Sequence, residues 1–131
     1  MTDRTTIPSD FSVKETIDRI AAIVQSKGLT VFARIDHGAN ATQAGLELRP
    51  TELIIFGNPK AGTILMQDQQ TSGIDLPVKA LAWQDEQGKN WLSYNTAEWL
   101  TERHSLTDKS RATLKAIEEG LILVATAATK R

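Results

Sequence analysis

The chain has 131 residues, 15 basic and 16 acidic side chains, a formal net charge of −1, and 40% hydrophobic against 24% charged residues. That length supports one domain around one core, and the even charge balance leaves no electrostatic footprint for nucleic acid or an anionic membrane. The absence of cysteine excludes disulfides, thiolate nucleophiles and cysteine-ligated zinc.

MTDRTTIPSD, the first ten residues, lacks the apolar centre of a signal peptide, and LILVATAA near the other end is far too short to cross a bilayer. The expected location is the cytoplasm. After a short strand near Arg4 to Pro8, Ser12 and Glu15 form a capping box ahead of a helix predicted over Val13 to Lys27, with Val13, Ile17, Ile20 and Val24 on one stripe and Gly28 at its end. LTVFARID then reads as a strand in which Val31, Ala33 and Ile35 alternate with Phe32, Arg34 and Asp36, so that His37 emerges at the end of the buried face.

A short helix is expected from Ala39 to Leu46. Arg49 and Pro50 break the chain before LIIF, whose unalternating apolar run predicts a central strand buried on both faces. A helix from Pro59 to about Gln69 follows, then strands over Leu76 to Asp85 and Asn90 to Asn95, joined as a hairpin across DEQGK. Thr96 or Asn95 can cap a helix AEWLTER, and Thr107 or Asp108 a longer one in which Leu114, Ile117, Leu121 and Val124 repeat at helical spacing. The pattern argues for an α+β domain with a mainly antiparallel sheet and helices on one face, rather than a doubly wound parallel fold.

The heptad FGNPKAG joins a strand to a helix. Gly57 gives the close turn, Asn58 the N-cap and Pro59 the first helical position. Its free N–H groups, helped by Lys60, could also hold an anion or carboxylate. Gly57 and Gly62 match half of a phosphate-binding loop, but Thr63 and Ile64 stand where Lys and Ser/Thr are needed, so this is no nucleotide P-loop.

His37 is a candidate general base, set against a partly buried histidine bonded to a backbone carbonyl. Adjacent Asp36 points the other way and cannot easily orient it. His104 reads as a cation at a helix C-terminus. No spacing brings the two histidines and a third ligand together, so no metal is expected. Lys79, in phase with Leu81 and Trp83, either covers apolar surface with its stem or lines a site; Trp83, Trp91 and Tyr94 read as core, ahead of a dimer contact or one wall of a cleft.

Together the runs VFARIDHGANATQAGLELRPTELIIFGNPKAGTILMQ and GIDLPVKALAWQDEQGKNWLSYN, with a terminal RH, resemble the domain of unknown function 302 family from about Ser12 to His104. Its motif positions fall on His37, Ala41, Phe56, Gly57, Asn58, Pro59, Asp75, Leu76, Pro77, Lys79, Trp83, Gly88 and His104. The resemblance implies a fold similar to the TATA-box-binding-protein-like class, often as a homodimer, and brings no established activity. It also implies that His37, Asn58, Asp75 and Lys79 converge on one pocket.

The functional expectation is a homodimer that binds a small polar or anionic molecule near the FGNP turn through His37, Asn58, Lys60, Asp75 and Lys79, with no cofactor, nucleic acid or membrane involved. The alternative is a hydrolase- or isomerase-type enzyme with His37 as base and Lys79 or the helix N-terminus steadying negative charge. Both sheet faces look apolar, and an exposed face of that kind is unusual in a soluble monomer. Either a second subunit covers one face or the segments Ala39 to Leu46 and Ala97 to Arg103 fold across it.

Overall fold

Ser12 begins the first helix as its sequence dictates: its Oγ accepts from the Glu15 N–H at 3.1 Å, satisfying a donor that the helix cannot. Helix α1 (Val13–Ser26) buries Val13, Ile17, Ile20 and Val24 along one stripe, which removes about 2 kcal/mol of apolar exposure per side chain. The computed structural model describes residues 4–131.

Strands β1 (Arg4–Pro8), β2 (Thr30–Asp36), β3 (Thr51–Gly57), β4 (Val78–Gln84) and β5 (Asn90–Asn95) form one antiparallel sheet in the order β1-β5-β4-β3-β2. Between them run α2 (His37–Gln43), α3 (Pro59–Asp68) and a 3-10 turn over Gln70–Asp75; α4 (Ala97–His104), a second 3-10 turn (Asp108–Ser110) and α5 (Arg111–Thr129) complete the chain. The expected α+β architecture is present. Ile54, Phe56, Ala80, Ala82, Leu92 and Tyr94 pack under α1 and α5 in the main core. A smaller cluster of Leu65, Ala97, Leu100, Leu106 and Leu114 joins α3, α4 and α5.

Four local expectations are corrected. LIIF alternates in burial: Ile54 and Phe56 are buried, whereas Leu53 and Ile55 are half-buried, because helices cover only one face. The central strand is β4, and β3 lies beside it. A register shift between Val31 and Ala33 breaks the simple alternation, so Val31 pairs with Phe56 on the helix side while Ala33 and Ile35 pair with Ile55 and Leu53 on the other. Trp83 and Trp91 stack with centroids 6.2 Å apart on that same open face and are only half-buried; Tyr94 alone of the three joins the core.

The second helix begins earlier than Ala39, since the Asp36 carboxylate accepts from the Ala39 N–H at 2.8 Å and caps it. His37 therefore sits in a first helical turn and is exposed, not at the edge of a core. Neither short helix closes the open face. α2 buries no residue, and α4 turns Ala97 and Leu100 into the smaller cluster. Among the described residues, no helix is long and apolar enough to cross a membrane.

Candidate functional site

Strand β3 leaves the sheet through Gly57, whose φ of +152° is a backbone conformation that residues with a side chain rarely adopt. Asn58 Oδ1 then accepts from the Lys60 N–H at 2.9 Å and Pro59 opens α3, as FGNPKAG predicts. Beside this turn lies a cavity of about 400 Å³. Its walls come from Phe32, Phe56 and Val78 of the sheet, Leu76 and Pro77, Thr63 and Met66 of α3, and Ile117, Gly120, Leu121 and Val124 of α5.

The register shift brings Phe32 to this wall, and Gly120 leaves part of the space unfilled, because a Cβ there would meet nothing within 4 Å. Polar side chains are few. Thr63 Oγ1 already donates its proton to the Pro59 carbonyl at 2.8 Å and can only accept, whereas Asn58 uses its Oδ1 alone and keeps its amide N–H donors for a ligand. Asp68 fixes the far end of α3. Its carboxylate accepts from the Ser110 hydroxyl at 2.7 Å and from the Thr107 N–H and hydroxyl at 2.8 and 2.9 Å. The Ser110 bond first, then the Thr107 N–H, holds the Asp68 carboxyl below its ordinary value.

A polar cluster forms beyond the 3-10 turn. Asp75 Oδ2 lies 2.8 Å from Arg103 Nε and 2.5 Å from His104 Nε2, and the His104 side chain is only 7% exposed. Lys79 Nζ donates to the Asp75 and Pro77 carbonyls at 3.3 and 3.4 Å. Among the described residues, no three His, Asp or Glu side chains gather as a metal ion would require.

Residues 5–123 match the family described as Domain of unknown function DUF302. The chain belongs to the DUF302 family. A crystal structure of an uncharacterized conserved DUF302 protein from Bacillus stearothermophilus superposes with a TM-score of 0.85 over 98% of this chain and 99% of that one, at 17% identity. Over 115 residues the chain is 56% identical to a protein named fluoride-specific ion channel FluC 1 of Brucella suis biovar 1 (strain 1330), covering 88% of this chain and 45% of that protein. It is likewise 56% identical to fluoride-specific ion channel FluC 2 of Brucella melitensis biotype 1, covering 43% of it. The DUF302 chain thus spans about half the length of these relatives.

The DUF302 motif residues do not converge as expected. Thr30 pairs with Gly57 and Asp36 with Glu52, so His37 and Asn58 lie at opposite ends of the β2–β3 ladder, about 20 Å apart along the strands. His37 has no hydrogen-bond or ion-pair partner among the described residues. Asn58 is at the cavity with exposed Lys60 next to it, while Lys79 pairs with Ile55 on the open face and reaches back to Asp75. The DUF302 chain therefore separates three groups that were expected together. Sequence reading passed over the Asp75–His104 pair because 29 positions separate its members, although both belong to the motif and that was the available signal.

Proposed function

We propose that this chain is a binding domain for a small molecule with an apolar body and one polar end. The body fills the cavity beside the FGNP turn, and the polar end meets Asn58 and the start of α3. The apolar lining carries this reading. A cavity of a few hundred Å³ with one or two placed polar groups is ordinary for a small-molecule site. A wholly polar or anionic molecule would lose its hydration there without gaining partners, which is costly, so the ligand class moves from polar to amphiphilic. The enzyme reading is the weaker one, since His37 has no hydrogen-bond or ion-pair partner among the described residues.

The test uses 1-anilinonaphthalene-8-sulfonate, displaced by decanoate. In Gly120→Leu the added side chain occupies free space, and binding is expected to weaken about tenfold or more, the worth of roughly 1.4 kcal/mol. Equal affinity in the two proteins rejects the cavity as the site.

The open sheet face, which carries Ile35, Leu53, Ile55, Leu81, Trp83 and Trp91, supports a homodimer as the working form. The named relatives favour a second, compatible role as a cytoplasmic partner of a fluoride channel. No helix among the described residues can span a membrane, so the pore of a relative named as a channel would belong to the half this chain does not match. Fluoride efflux from vesicles holding such a channel, with and without this chain, should differ; identical rates count against that role.

A further inference from the structure

A second opening lies against the 3-10 turn Gln70–Asp75, walled by Gln70, Thr71, Gly73, Ile74, Arg103 and His104. Its character is opposite to that of the apolar cavity. Asp75 engages the inner nitrogen of Arg103 and Nε2 of His104 with a single carboxylate oxygen. The terminal nitrogens of Arg103 have no hydrogen bond or ion pair with any described residue, and neither has His104 Nδ1.

The guanidinium of this half-exposed side chain is held at two points: its inner edge lies 2.8 Å from Asp75 and its carbon 5.5 Å from the Trp99 ring centroid, which orients the fork and lowers the side-chain freedom lost when a ligand binds. The lining itself is basic: Arg103 and His104 face the opening, Asp75 holds both of them without being part of its wall, and no acid lines it among the described residues. Nearby Asp68 is occupied by Thr107 and Ser110.

We propose that this opening is a site for a small oxyanion, a carboxylate or phosphate group, gripped by the terminal nitrogens of Arg103, with Thr71 and Gln70 as neighbouring donors. A planar fork with two outward N–H groups matches two oxygens of such an anion. The site is separate from the apolar cavity and stands whether or not that cavity binds anything.

The experiment is an NMR titration of the full chain with inorganic phosphate and, in parallel, with acetate, against chloride at equal ionic strength. Saturable shifts at the amides of residues 70–74 and 103–104 are expected, and the tighter of the two anions identifies the source group. Arg103→Gln should abolish them. Arg103→Lys keeps the charge but not the fork and should weaken binding about fivefold or more, and it provides the comparison if Arg103→Gln does not fold. Shifts that fail to saturate, that chloride reproduces, or that survive in both variants overturn the site.

Discussion

Asn58 serves both helix and cavity, and the two roles separate experimentally. Loss of its cap on the Lys60 N–H in Asn58→Ala is expected to cost about 1 kcal/mol, read from the urea midpoint, with or without ligand. An unchanged midpoint would show that water replaces the cap at no cost. Arg34 is a different case. It lies 2.8 Å from buried Glu52 and 2.9 Å from Asp18 of α1, and so ties that helix to the sheet. Arg34→Met leaves Glu52 without its countercharge and should cost about 2 kcal/mol, the scale of a hydrogen bond to a charged group. A loss below about 0.5 kcal/mol would mean that Glu52 is solvated once Arg34 is gone.

Helix α5 forms one wall of the cavity and is weakened by Gly120 at its middle. Since a Cβ at Gly120 meets no atom within 4 Å, Gly120→Ala should gain up to about 1 kcal/mol and raise Tm by a few degrees. A fall in Tm would show that the helix needs the glycine for a movement or a close approach. The join between α3 and the start of α5 depends on ionised Asp68. The folded state depresses this carboxyl, so its contribution is fully present above the ordinary Asp value of 3.8 and is lost as pH falls through the lower folded value. Asp68→Asn should therefore flatten the acid limb of the stability profile below about pH 4, whereas an unaltered limb would assign acid sensitivity to other carboxylates.

At the scale of the molecule, one sheet face is roofed by α1 and α5 and the other is open. Light scattering at micromolar concentration is expected to give about twice the 14.4 kDa chain mass. Ile55→Lys puts a charge in the middle of the open face without touching the core, so it should yield a folded monomer. A dimer that survives this change would place the interface elsewhere.

Periodicity and capping are local properties, and they were sufficient for α1, for the hairpin β4–β5, for Asn58 and Pro59 at the head of α3, and for an antiparallel sheet under helices. FGNPKAG likewise fixes its own turn and helix start, since a glycine turn followed by a capped helix is written within seven residues, but the cavity beside it takes its other walls from the sheet and α5. Other features needed the assembled chain. The shift at Val31/Ala33 moved Phe32 into the cavity wall, and the position of β3 next to a half-covered β4 decided that LIIF has one open face. The antiparallel pairing of β2 with β3 put His37 and Asn58 at opposite ends, while the return of α4 to the 3-10 turn brought His104 to Asp75. Sequence spacing determines which face a residue occupies within one element; distances between elements follow from how loops close and cores pack, which no single stretch of the chain encodes.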